Sequence, residues 1–225
     1  MNANIDITSS ILQTKRLILR PFTNNDLNDV HYYCSLKDST NSYGFLPHTS
    51  LEQSKELLNK WIESKNVFAI VLKETNKVIG NIGLSKLMPS IKQINDSELL
   101  GVNIDFMISK DYWNLGIATE ALKAIISHSF FSRHLDFLIC GHFKDNIASQ
   151  KVIEKCGFKY YTSGTFTNKE MGQIETIDYI LFNYYKRNNC HCELCLNHSS
   201  CLCKICPNEN FCKINHQIEC KYKVN

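Results

Sequence analysis

No apolar run in these 225 residues approaches the ~18 needed to cross a bilayer, and Val67 to Leu72 is among the longest. A membrane partner is therefore not expected. The opening Met1-Asn-Ala-Asn-Ile-Asp6 has neither a basic stretch nor an apolar one, so a secretory leader is not expected either, and the reading is a cytoplasmic protein. Charge of one sign is lacking too. Lys and Arg number 25 against 22 Asp and Glu, leaving +3, which gives no electrostatic footprint for nucleic acid. Glycine (9) and proline (4) are sparse, and 44% hydrophobic with 21% charged residues is the composition of a folded chain, not a disordered one.

Cysteine is the residue in excess. Cys34, Cys140 and Cys156 are scattered over the first 189 positions, whereas eight others crowd into the last 36. In a cytosolic chain such density points to metal rather than to disulfides. The break divides the chain near Asn188-Asn189 into a unit over 1–187 and a tail over 188–225.

Strand and helix signals interleave in the first unit. Leu17–Phe22 reads as a strand that Pro21 helps to end, and Thr23 with Asp26 opens a short helix toward Tyr33. Ser50 precedes a helix carrying Leu51, Leu57, Leu58, Trp61 and Ile62. Val67–Leu72, a Thr75-Asn76 turn and Lys77–Leu84 predict a hairpin. Met88–Asp96 reads as a loop and Leu99–Ile108 as a strand. Ala118, Ala121, Leu122 and Ile125 fall on one face of a helix over Gly116–Ser132. Leu135–Cys140 is a strand, Asn146–Lys155 a helix, and Phe158–Tyr161 and Thr176–Tyr185 are strands. The fold class is mixed α/β (α+β), a mixed sheet with helices on its faces.

The stretch with most chemical content is Ile104 to Leu122. A strand ends, a turn follows, and Gly116 opens a helix. Such a joint aims unpaired N–H groups and the positive helix end at one point, which suits an anion, and Gly116 has no side chain to keep a phosphate away. No Gly-Lys-Ser/Thr follows, so this is not a P-loop, and the three spaced glycines of a dinucleotide site are missing.

Trp113-x-x-Gly116-x-Ala118-Thr-Glu-Ala-Leu122 resembles the acetyl-coenzyme A loop of GNAT-superfamily N-acetyltransferases. Asn146-x-x-Ser149-x-x-Val-Ile-Glu-Lys-Cys-Gly157-Phe158 is similar to that family's second cofactor motif. Leu12-x-Thr14-x-Arg16-Leu-x-Leu-Arg20-Pro is similar to the opening strand of its Rim-type branch, which acetylates N-terminal Ser or Ala of ribosomal proteins and has relatives acting on small amines. The motifs span Leu12 to about Tyr185. The resemblance implies a twisted, mostly antiparallel sheet flanked by helices and splayed at a bulge in the strand Asn103–Ile108. It implies pantetheine pairing with backbone groups of Phe106, Met107 and Ile108. It also implies pyrophosphate held by the backbone N–H groups of Asn114, Leu115, Gly116, Ile117, Ala118 and Thr119. Asn146 would hydrogen-bond the arm, and Ser149 would sit near the thioester sulfur. Many relatives have Gly where this chain has Asn114.

Acetyl transfer needs a neutral amine and a proton for the departing thiolate. The family's usual tyrosine position is Ile153 here, which leaves Ser149 as the proposed acid. For the base, a Glu often stands in Rim-type relatives where this chain has Asn103. Asp105, two residues on, shares its face, and Glu98 is a third candidate. His31, His128, His134 and His142 share no motif and read as surface or core residues. Cys140 and Cys156 read as small core hydrophobes.

The expected activity is acetyl transfer from acetyl-CoA to a primary amine, foremost a protein N-terminal α-amine. The alternatives are a small amine such as a polyamine or aminoglycoside, and an idle CoA-binding fold that works through its tail. In that tail Cys-x-Cys-x-x-Cys recurs at Cys190, Cys192, Cys195 and at Cys201, Cys203, Cys206, followed by Cys212, His216 and Cys220. Soft ligands at this spacing predict Zn2+, with His191 and His198 also available and a protein partner expected for the tail. A metallothionein-like cluster, and disulfides or disorder, are the other readings. The run from Cys192 also loosely resembles a shortened MYND-type finger.

Overall fold

The computed structural model describes residues 3, 5–87, 99–168 and 171–183. The tail with its nine metal-ligand candidates and its finger resemblance, the loop Met88–Asp96 and the candidate base Glu98 lie outside the described residues. Among the described residues no group of three or more His, Cys, Asp or Glu is placed to hold a metal ion. No helix among them is long and apolar enough to cross a membrane.

In chain order the elements are β1 (Leu12–Gln13), β2 (Leu17–Pro21), α1 (Leu27–Cys34), α2 (Lys37–Asn41), α3 (Leu51–Ser64), β3 (Val67–Leu72) and β4 (Lys77–Ser85). They continue with β5 (Gly101–Ile108), α4 (Ile117–Ser127), β6 (Phe137–Phe143), α5 (Ile147–Lys155), β7 (Lys159–Asn168) and β8 (Gly172–Phe182). The strands form one sheet in the order β1-β2-β3-β4-β5-β6-β8-β7. All neighbours are antiparallel except β5 and β6. The class is the mixed, mostly antiparallel sheet that the sequence implies.

Local chemistry explains the element ends. Ser50 and Gln53 form a reciprocal capping box at the start of α3, whose buried Ser54, Leu58 and Trp61 recur at helical spacing. The β3–β4 turn closes through Asn76, which adopts φ 54° and donates its N–H to the Leu72 carbonyl at 2.8 Å. In α4 the buried positions are Ile117, Ala121, Leu122, Ile125 and Ile126. They pack with α5 and one face of the sheet into the larger core. The opposite face carries Phe22, Val30, Tyr33, Leu58, Trp61 and Met107 beneath α1 and α3.

Three expectations are corrected. The bulge expected in Asn103–Ile108 is not there: β4 and β5 keep unbroken register from Gly80↔Ile108 to Ser85↔Asn103. The register shifts lie instead between Ile70 and Val71 and between Tyr160 and Thr162. The sheet nevertheless splays, because the β5–β6 ladder stops at Ile104↔Cys140. Secondly, the last hairpin is longer than expected at both strands, since the polar residues after Tyr161 are strand with one face in solvent. Thirdly, α2 was not expected, being a five-residue polar turn of helix with no apolar face to announce it.

Candidate active site

The parallel pair β5–β6 joins only Gly101–Ile104 to Phe137–Cys140. Beyond that point β6 stays paired with β8 through Phe143, and β5 stays paired with β4 through Ile108. A V-shaped gap opens between them. Strand alternation decides what faces it. The Leu100 carbonyl accepts from the Asp136 N–H on the β6 side, whereas the Ser109 N–H donates to Ile79 of β4. The main chains of Phe106 and Ile108 therefore face the gap. That of Met107 faces β4, so the pairing implied for Met107 is corrected. Trp113 Nε1 donates to the Ile108 carbonyl at 2.8 Å, which leaves the Ile108 N–H and the Phe106 groups to the gap.

Next to the gap a cleft of about 280 Å³ runs between the turn 112–119 and the first turns of α5. Phe106, Met107, Ile108, Asn114, Gly116, Ile117, Ala118, Thr119, Asn146 and Ser149 all line it, as the sequence anticipates. Leu115 does not: its side chain is exposed, and its carbonyl accepts from Arg16 Nη1 at 2.8 Å. Gly116 is the N-cap of α4 at φ 75°, and Asn114 also takes a left-handed φ of 61°. Asparagine tolerates that conformation, so the replacement of glycine at 114 leaves the turn intact. A Cβ at Gly116 would meet nothing nearer than Arg16 Nη2 at 3.6 Å, so the concavity over the helix end is open.

Residues quoted from the sequence only as parts of the motifs hold this turn, and two lysines it did not single out charge it. Glu120 accepts from Thr14 Oγ1 (2.6 Å), the Arg16 N–H (2.8 Å) and Arg16 Nε (2.8 Å). Burial works against its charge, but these bonds hold its carboxyl below the usual carboxylate range. The β1–β2 turn is thereby clamped to α4. Lys151 and Lys155 of α5 line the cleft and add positive charge opposite the helix end. Their spacing is that of any helix surface and gave no signal. Asn146 caps α5, its Oδ1 accepting from the Ser149 N–H at 3.0 Å while Nδ2 donates to the Ser42 carbonyl at 3.4 Å.

On the α1–α3 side of the sheet Asp105 stands at the gap. Tyr43 donates its hydroxyl proton to Asp105 Oδ1. Ser85 Oγ donates to Oδ2 at 3.5 Å, and Asn103 Nδ2 donates to Ser85 Oγ at 3.3 Å. Asn103 thus reaches the carboxylate through Ser85 and, as a carboxamide, does not titrate. Burial pushes the Asp105 pKa up, against the hydrogen bonds from Tyr43 and Ser85, which pull it down. Burial also drives the Tyr43 pKa well above 10, so it remains a donor. Asn81 Nδ2 steadies it at 3.3 Å.

A second acid faces the same space. The register Asn103↔Ile139 puts Gly141 opposite Asp105 across the gap, and Asp178 pairs with Gly141 from β8. A Cβ on Gly141 would lie 2.3 Å from Asp178 Oδ1. Glycine therefore leaves room for that carboxylate, whose pKa burial also raises. The described cysteines are not nucleophiles. Burial lifts Cys34 and Cys156 to about 12 and Cys140 well above its ordinary value, so each is a buried thiol.

The splayed sheet, anion-shaped turn and half-buried acid carry a recognisable plan. The family model described as the acetyltransferase (GNAT) domain matches residues 16–159. The chain belongs to the GNAT acetyltransferase family. It is an acyltransferase, and acetyl-CoA is the usual acetyl donor of these enzymes. It is 25% identical over 181 residues to the N-acetyltransferase p20 of Bacillus licheniformis, covering 78% of this chain and 96% of that one. Its fold resembles a GNAT-family acetyltransferase from Bacillus anthracis, with TM-score 0.65 and 22% identity over 77% of this chain and 98% of that one. It also resembles RimL, a ribosomal L7/L12 α-N-protein acetyltransferase in complex with coenzyme A (TM-score 0.59, 17% identity, 77% and 98% covered).

Proposed function

We propose that this GNAT enzyme transfers acetyl from acetyl-CoA to a protein N-terminal α-amine of the Ser or Ala type, with Asp105 as base. The observation that carries this reading is the half-buried Asp105–Tyr43 pair at the gap. Acetyl-CoA supplies the activated acetyl group. Main-chain N–H groups around Asn114, Gly116 and Thr119, with Lys151 and Lys155, bind its phosphates. Phe106 and Ile108 pair with the pantetheine arm as a neighbouring strand would, while Asn146 and Ser149 flank it. The residues fit, since the Gly116 concavity is open and cationic.

A carboxylate is a modest base even when burial strengthens it. Freeing an α-amine of pKa ~8 at pH 7 costs ~1.4 kcal/mol, against ~4.6 kcal/mol for a lysine near 10.4. The N-terminal amine is the better match, and RimL, an α-N-protein acetyltransferase by name, agrees with it. Asp178 favours a second reading, a small polycationic amine whose further ammonium groups would meet this carboxylate. A thiol-release assay separates them. N-terminal Ser and Ala peptides are expected to turn over fastest; faster turnover of spermidine would select the second reading, and faster turnover of lysine side chains would end both.

On this reading the chemistry belongs to 1–187, and 188–225 is an accessory. We propose that its cysteines bind zinc, which their repeated spacing supports. Purified full-length protein should carry about two zinc ions; none after purification without chelators would end this proposal.

A further inference from the structure

Among the described residues His142 is the imidazole that has a buried ring nitrogen without a partner. It is 6% exposed. Its Nδ1 lies 2.8 Å from the Phe143 carbonyl, and a carbonyl only accepts, so Nδ1 carries a proton. That fixes the other nitrogen: Nε2 holds either a bare lone pair or the second proton of an imidazolium. Nε2 is buried and has no partner among the described residues. An orphaned polar atom this deep is costly unless a ligand meets it.

Its place in the sheet shows which ligand. The β5–β6 ladder ends at Ile104↔Cys140, so two residues further His142 stands on one lip of the gap opposite Phe106 on the other. Both side chains point to the α4–α5 face, the face of the cleft that Phe106, Ser149 and Val152 line. Tyr179 packs against the imidazole in a tilted arrangement, with centroids 5.6 Å apart and planes at 33°. Ile153, fully buried on α5, has no proton to give. Tyr179, the other proton-bearing side chain beside the gap on this face, already donates its hydroxyl to Glu154 at 3.4 Å, so His142 Nε2 is the ring nitrogen left without a partner there.

We propose that His142 Nε2 meets the sulfur of coenzyme A and gives the departing thiolate its proton. The inference rests on the acetyl-transfer reading above. The amine nitrogen bonds to the thioester carbonyl carbon, and the carbon–sulfur bond breaks with its electron pair left on sulfur. The Nε2 proton of the imidazolium passes to sulfur. The amine proton passes to Asp105, which releases it to solvent as the imidazole regains one. The charged and titratable groups around His142 are Asp178 and Tyr179 of β8, Cys140 of its own strand, Asp105 across the gap, and Glu154 of α5, which accepts from the Tyr179 hydroxyl at 3.4 Å.

The test uses wild-type protein labelled with 15N. Coenzyme A should shift the His142 Nε2 resonance, and desulfo-coenzyme A, which lacks the sulfur, should bind without that shift. Equal shifts with both ligands would overturn the proposal whatever any variant does. His142→Gln should bind coenzyme A in calorimetry as wild type does, yet lose 10²- to 10⁴-fold in kcat. Unchanged kcat in a folded His142→Gln protein overturns the acid role. If wild type binds coenzyme A but shows no sulfur-dependent shift, this inference fails alone; if wild type binds no coenzyme A, the acetyl-transfer reading fails with it.

Discussion

Burial raises the Asp105 pKa in the folded chain, so the native state holds this proton more tightly than the unfolded state does. Stability due to this group is therefore lost as pH rises from the unfolded value, ~3.9, through the raised folded one. At neutral pH Asp105 costs stability. Asp105→Asn should then melt higher than wild type at pH 7 while kcat/KM drops 10²- to 10⁴-fold; a lower melting temperature or full activity would remove Asp105 from the mechanism. Tyr43 pulls the same pKa down, so Tyr43→Phe should move the rising limb of the pH–rate profile to higher pH, and an unmoved limb would contradict the pairing. The place of Asp105 on the strand face it shares with Asn103 was legible in the sequence because alternation along one strand is local. Tyr43 was not: it arrives from a turn 62 positions away, and no spacing rule connects a tyrosine in a polar loop to a distant strand. Asp178 and His142 were likewise unreadable as site residues, since each matters through the strand that lies beside it.

Between elements, the closest tolerance is where β4 meets β5. A Cβ on Gly80 would sit 2.2 Å from the Met107 carbonyl oxygen and 3.0 Å from Ile108 Cα. Neither is a flexible side-chain end, so the strands must part. Gly80→Ala should cost about 1–3 kcal/mol of stability in denaturant unfolding. It should also raise the KM for acetyl-CoA, because the displaced segment is the β5 lip of the gap; an unaltered KM would separate the two strands' packing from the site. The glycine turn that opens α4 was readable from sequence because strand, glycine and helix follow one another within a dozen residues. The β3–β4 hairpin was readable for the same reason. The length of the β7–β8 hairpin was hidden, because half-exposed polar strands lack the apolar pattern that reveals a buried one.

At the scale of the molecule, all but one of the ladders join antiparallel neighbours, and the one parallel ladder is four residue pairs long. The sequence resemblance supplied this plan but placed the cause of the splay in a bulge. The structure puts it in the early end of a ladder, which no motif encodes because it depends on where two strands part company. That early end makes the free enzyme self-reporting. The amide hydrogens of Phe106 and Ile108 have no strand across from them, while the amide of Met107 is locked against β4. In deuterated water the first two should exchange quickly and the third slowly. Saturating coenzyme A should slow Phe106 and Ile108 at least tenfold and leave Met107 where it was. If all three exchange alike with and without coenzyme A, the arm is not lying in the gap as a missing strand. The sheet thus carries its own isotopic gauge of occupancy, calibrated by the residue between the two that read it.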